Sequence, residues 1–150
     1  MMLSTRGRYG VKALYELARA EPSGSPVSLR EIAECQGLSL SYLEQLIGPL
    51  RRAGLVVSVR GAKGGYILGR PRGEITVGDI IRVMEGSIAP TECVADSPDG
   101  VSHCGRSQTC IAKGIWERVK KSVEEVLDSI TLEDLCGRDG TEEANVVSEK

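Results

Sequence analysis

The sequence has a single histidine, His103, and no apolar run near the roughly 18 residues needed to cross a membrane; each shortage closes off a class of function. A lone imidazole, with no evident pairing of nucleophile and base, leaves little for acid–base or covalent catalysis, so an enzyme is not expected. The opening stretch, Met1 to Tyr9, is basic but lacks the apolar segment of a signal peptide, which points to a cytoplasmic protein with no membrane partner. Thiols stay reduced in that compartment. The five cysteines, an odd number, therefore argue for metal binding or redox chemistry over a disulfide framework. At 150 residues and 41% hydrophobic, the chain can bury one core of ordinary size and a small appendage.

The formal charge of −2 hides a strong polarity. Residues 1–72 carry eleven Lys and Arg against five Asp and Glu, whereas residues 73–150 carry eight against sixteen. A basic front half and an acidic rear half suit a chain with one surface for phosphates and another for solvent or a partner.

A helix is expected over Thr5 to Ala20, because Val11, Leu14, Tyr15, Leu17 and Ala18 recur at three-to-four spacing and Pro22-Ser-Gly-Ser-Pro26 ends the pattern. Arg6, Arg8 and Lys12 lie toward its start, where cations oppose the helix dipole. Phosphate contact is the functional reading and solvated charge the plain one. Ser28-Leu-Arg-Glu31 reads as a capping box opening a short helix that Gly37 ends, and Ser39 caps the next helix. Helix, glycine-containing turn and helix at this spacing make a helix-turn-helix. In its second helix, Leu40, Leu43, Ile47 and Leu50 are expected to face the core. Ser41, Glu44 and Gln45 then point outward near the N-terminal end, where a recognition helix meets base edges. Gln pairs with adenine in the major groove, and Glu accepts from cytosine N4.

Leu55-Val-Val-Ser-Val59 and Tyr66-Ile-Leu68 are β-rich runs flanking Arg60-Gly-Ala-Lys-Gly-Gly65. A hairpin with a basic, glycine-rich tip directly after a helix-turn-helix is a wing. Gly61 and its neighbours allow close backbone approach to DNA, while Arg60 and Lys63 reach a minor groove or phosphates. A nucleotide-binding loop is the competing reading, but the Walker lysine pattern is missing and no helix starts after the glycines.

Thr76-Val-Gly-Asp79 opens a further helix, with Ile80, Ile81, Val83 and Met84 on its buried side and Gly86 as its stop. Then three cysteines (Cys93, Cys104, Cys110) and His103 crowd into eighteen residues of low apolar content. Such a loop suits a metal. The set satisfies the Cys₃His count of a structural zinc, although cysteines eleven and then six positions apart lack the tight pairs of zinc folds. Thiolates are also the usual ligands of iron–sulfur clusters, so spacing alone leaves both open. Beyond the loop, Trp116, Val119, Val123, Val126 and Ile130 form a heptad-like seam, widened by Ile115 and Leu127, that is expected to cross a second copy in a homodimer. Two recognition helices then suit a palindromic operator in double-stranded DNA. Thr131 to Leu135 makes a last short helix, and Cys35 and Cys136 read as incidental thiols.

The expected fold is mainly α with a small β-hairpin wing, a winged helix-turn-helix DNA-binding domain plus a long dimerisation helix. Its parts are the DNA-binding domain (1–86), a cysteine-rich cluster-binding loop (87–112), a dimerisation helix with a short terminal helix (109–136), and a polar, acidic tail expected to be disordered (137–150). Thr5-Arg-Gly-Arg-Tyr9, Leu38-Ser-Leu-Ser-Tyr-Leu-Glu-Gln-Leu46 and Val59-Arg-Gly-Ala-Lys-Gly-Gly-Tyr-Ile-Leu68, in this order and spacing, resemble the IscR-type members of the Rrf2 family of winged-helix regulators, whose relatives include NsrR and CymR. The resemblance covers roughly residues 1–135.

It implies a regulator that senses iron–sulfur status through a cluster, [2Fe–2S] favoured, on Cys93, Cys104 and Cys110, with occupancy altering operator binding. Control of cluster-biogenesis genes and contact with the iron–sulfur assembly machinery follow from the same resemblance. So does base contact by Ser41, Glu44 and Gln45, minor-groove entry by Arg60, and a role for Glu44 in restricting the operators that the cluster-free form accepts. Where the family usually has a histidine three residues after the last cysteine, this chain has Lys113. Some relatives take the fourth ligand from the first helix of the partner subunit, but Arg8 and Lys12 occupy the corresponding positions here. His103 is then the candidate fourth ligand, ahead of a nearby carboxylate such as Glu92, Asp96 or Asp99, or a solvent or added thiol ligand. Two further readings remain: a winged-helix repressor with a structural zinc, and an iron–sulfur carrier or interaction protein. The charge split and the intact wing speak against the carrier.

Overall fold

The computed structural model describes residues 3–99, 104–106 and 108–138. Among these, the elements in chain order are α1 (Thr5–Ala20), α2 (Leu29–Gln36), α3 (Leu40–Arg52), β1 (Val56–Val59), β2 (Gly65–Leu68), α4 (Val77–Glu85), α5 (Lys113–Ser129) and α6 (Leu132–Gly137), with short 3₁₀ turns between them. His103 and residues 139–150 of the tail lie outside the described residues.

Local chemistry sets the helix ends. Ser4, Ser28 and Ser39 each accept a free backbone N–H at the start of α1, α2 and α3. Of the capping box expected at Ser28, the structure shows the half in which the hydroxyl accepts from Glu31 N at 3.2 Å. Reciprocal boxes form at Thr76 with Asp79 and at Thr131 with Asp134. Gly37, at φ 65°, closes α2 in the left-handed region, and the turn leads at once to Ser39.

The core gathers Leu14 and Leu17 of α1, Ile32 of α2, Leu43, Leu46 and Leu50 of α3, Leu55 and Val56, Ile80 and Met84 of α4, and Leu132 of α6. Leu40, expected inside, is 40% exposed, and Leu46 is buried in its place. Leu46 falls in the same row as Leu43 and Leu50, whereas Leu40 is the first residue of the helix, at its tip. α1 packs closely on α4 because Gly10 has no side chain: a Cβ there would stand 2.8 Å from Met84 Cγ.

β1 and β2 pair antiparallel, with Val56 opposite Leu68 and Val59 opposite Gly65. Val27, just ahead of α2, exchanges both backbone bonds with Tyr66 at 2.9 and 2.8 Å, which fixes the hairpin beside the helix-turn-helix.

The long helix differs from the single seam read in the sequence. Trp116, Val123, Leu127 and Ile130 are half-buried, on the side that carries Lys120 and Glu124, whose partners Asp96 and Arg82 lie outside the helix. Ile115 (57%), Val119 (36%) and Val126 (58%) are exposed and form a second, outward strip. The stripe is too wide for one contact and divides between the helix's own domain and open surface. At its end the chain returns to the core: Val77 N donates to Ile130 O at 2.8 Å and Leu132 N to Ile75 O at 2.9 Å. No described helix is long and apolar enough to span a membrane.

Candidate DNA interface and thiol loop

α3 presents one buried and one open face. Leu43, Leu46, Ile47 and Leu50 are inside, and Ser41, Glu44 and Gln45 are all exposed on the other side, with Arg51 and Arg52 at the far end. The recognition residues expected from the sequence therefore share one accessible surface. Tyr42, next to Ser41, meets Tyr9 of α1 edge-on with ring centroids 5.8 Å apart, and Lys12 Nζ sits 5.4 Å over the Tyr9 ring. These contacts tie the basic start of α1 to the first turn of α3.

The hairpin tip presents Arg60, Gly61 and Lys63, all exposed. Gly61 has φ 117°, a backbone setting that a side chain would strain, and its carbonyl accepts from Gly64 N at 3.0 Å to close the turn. Arg6, Arg8 and Lys12 are likewise exposed. Exposed cations thus stand on α1, at the wing and at the end of α3.

Sequence reasoning missed Glu85. This last residue of α4 accepts from Ser4 N at 2.8 Å and from the Ser4 hydroxyl. The available signal was the pattern of α1 itself: two arginines and no acid in its first turns, with glycines at 7 and 10.

The thiol loop begins on anchored ground. Ile88 and Val94 are buried, and Cys93 is half-buried in a 3₁₀ turn, Glu92–Val94, with Sγ 3.0 Å from Thr91 Oγ1. Cys104 is half-buried and Cys110 exposed, and Cys110 O accepts from Lys113 N at 3.3 Å where α5 starts. Asp96, one of the expected oxygen ligands, is engaged otherwise: Lys120 donates to it at 2.5 Å and Ser87 at 3.1 Å. The Lys120 bond, followed by that from Ser87, holds its carboxyl below the ordinary range. Glu92 and Asp99 are exposed. Lys113 Nζ stands 4.0 Å from Glu117 Oε1, one turn along α5. Three thiols fit an iron–sulfur cluster in chemical kind, but among the described residues no three His, Cys, Asp or Glu side chains are assembled as a metal cage. Cys35 is exposed on α2, and Cys136 is half-buried against the core.

A sequence model for the Rrf2 family, described as iron-dependent transcriptional regulators, matches residues 3–138. The chain belongs to the Rrf2 family. It is 48% identical over 145 residues to the HTH-type transcriptional regulator CymR of Bacillus subtilis, covering 96% of both chains. The solved structure of T. potens IscR superposes with a TM-score of 0.74 at 50% identity, over 93% of this chain and 88% of that one. The structure of CymR, described as the global cysteine regulator of B. subtilis, gives a TM-score of 0.73 at 45% identity, over 91% and 97%. As an Rrf2 member with a winged-helix fold, the chain is a DNA-binding transcriptional regulator, and the relatives it matches are regulators and not enzymes.

Proposed function

We propose that this regulator senses iron–sulfur status, its affinity for operator DNA being set by occupancy of a cluster, most simply [2Fe–2S], held by the thiolates of Cys93, Cys104 and Cys110. The observation that carries the reading is where the thiol loop is fastened. It leaves α4 beside Glu85, which bonds to the start of α1, and Asp96 ties it to Lys120 on α5. Cys93 in its turn and Cys104 and Cys110 further along the loop would hold the cluster, and its binding would tie those segments together. His103 is the proposed fourth ligand.

In this reading Ser41, Glu44 and Gln45 meet base edges in the major groove. Arg60, Gly61 and Lys63 approach the minor groove and backbone, and Arg8 meets a phosphate. The exposed strip of Ile115, Val119 and Val126, continued by Ile111 at 97% exposure, is the surface for a second copy. Two copies set two recognition helices on a palindromic operator. Genes of cluster biogenesis are the proposed targets, with the assembly machinery as the source of the cluster.

The test is chemical analysis of protein purified without oxygen. Iron and acid-labile sulfide in equal amounts, two of each per chain, with visible absorption, support the reading. One zinc per chain and no sulfide supports the structural-zinc repressor instead. A metal-free protein favours a second reading drawn from the 48% identity to CymR, in which the chain responds to cysteine status without a cluster.

A further inference from the structure

We infer that Glu85 is a positioning residue for DNA binding: its carboxylate, reaching from the last turn of α4 to Ser4, holds the cationic start of α1 against the DNA backbone. The inference rests on the reading that Arg8 contacts phosphate. α1 opens with Arg6 and Arg8 and has no acidic residue in its first turn, so its own sequence opposes the helix dipole. The negative charge comes from another element. Glu85 Oε1 accepts from Ser4 N at 2.8 Å and from the Ser4 hydroxyl, and that same hydroxyl accepts from Gly7 N at 3.4 Å. One carboxylate thereby fixes the residue that caps the helix.

The surrounding sequence is shaped to admit it. A Cβ at Gly7 would run into the Glu85 carboxylate, and one at Gly10 would press on Met84. Glycine at both places weakens α1 as an isolated helix, so the position of its start depends on docking to α4. What that docking places is exposed and functional: Arg6 and Arg8 toward solvent, and Tyr9 against Tyr42 beside the recognition face. Glu85 is followed by Gly86, at φ 83°, and by Ser87, which bonds to Asp96 of the thiol loop. The carboxylate that orients α1 therefore belongs to the segment from which the thiol loop departs.

The experiment uses the full chain, kept free of metal so that it does not depend on a cluster. A fluorescein-labelled duplex, selected by the wild-type chain from a randomised pool, is titrated by anisotropy across a series of KCl concentrations. Glu85→Ala is expected to weaken binding about three- to tenfold and to flatten the slope of log Kd against log salt by about one, the mark of a lost phosphate contact. Glu85→Gln keeps an acceptor for Ser4 but not the charge, and is expected to restore part of both. The sign is diagnostic, because a bystander carboxylate near DNA only repels it. Tighter binding by Glu85→Ala, or an unchanged slope, overturns the inference. Should Glu85→Ala fail to fold, Ser4→Ala removes the hydroxyl link without changing charge; weaker binding with a flatter slope supports the inference, and wild-type behaviour overturns it. Arg8→Ala separates the two claims. An unchanged slope there removes the phosphate reading itself, whereas a flatter slope for Arg8→Ala with a wild-type slope for Glu85→Ala removes only the role of Glu85.

Discussion

Lys120 of α5 donates to Asp96 of the thiol loop at 2.5 Å, and the Asp96 backbone N–H and carboxylate both bond to Ser87 just after α4. Asp96 therefore clamps the loop to two elements at once. Replacing it by Ala is expected to raise hydrogen exchange across residues 88–96 while α1 to α3 stay protected. The global stability change should be below about 1 kcal/mol, since the pair is largely exposed. Unchanged exchange in the loop would show that the clamp does not hold it.

Arg60 and Glu44 should fail in different ways. Arg60→Ala is expected to weaken binding to every duplex and to lower the salt slope by about one, as for a cation beside phosphates. Glu44 is exposed on the open face of α3; against DNA, as proposed, its carboxylate is repelled unless it finds a cytosine donor. Glu44→Ala should therefore accept more sequences in a selection from random duplexes. Loss of binding to all of them would contradict this role.

Much of the reader was legible because its signals are local. Serine caps, Gly37 and the basic glycine tip each act within a few residues, and the helix-turn-helix and hairpin appear where those signals place them. What sequence could not supply were contacts across elements. Periodicity alone puts Leu40 and Leu46 on comparable rows, and only the packing around α3 decides that Leu46 is covered. The wide apolar stripe of α5 gave no indication that Trp116 and Val119 belong to different faces. Asp96 looked like a free oxygen ligand until Lys120, 24 residues later, was found bonded to it. Glu85 lies 81 residues from Ser4 and carries no local motif at all.

The outward strip of α5 gives a further test. Val119→Asp puts a charge between Ile115 and Val126 without disturbing the half-buried side of the helix. Sedimentation is expected to shift from dimer toward monomer, with operator affinity falling in parallel because two half-sites are no longer read together. A variant that remains dimeric would place the interface elsewhere.

Acid should loosen the join between α4 and α5. Arg82 donates to both oxygens of Asp128 at 2.7 and 2.8 Å, and these bonds hold the Asp128 carboxyl below its ordinary range. A carboxyl with a lowered folded pKa stabilises the fold above its unfolded pKa of about 3.9, and the contribution is lost as pH falls through the folded value. The difference in urea midpoint between wild type and Asp128→Asn should be constant above about pH 5 and shrink below about pH 4. A difference that persists unchanged into acid would mean that this ion pair contributes nothing.

The proposed coupling between cluster occupancy and operator affinity is read from Kd for one selected duplex at one salt concentration, measured for cluster-loaded and cluster-free protein without oxygen. A ratio of about tenfold or more is expected, within the range of ordinary allosteric coupling. Single alanine variants of Cys93, Cys104 and Cys110 should each bind as the cluster-free form does. Equal Kd for the loaded and cluster-free protein would contradict the claim.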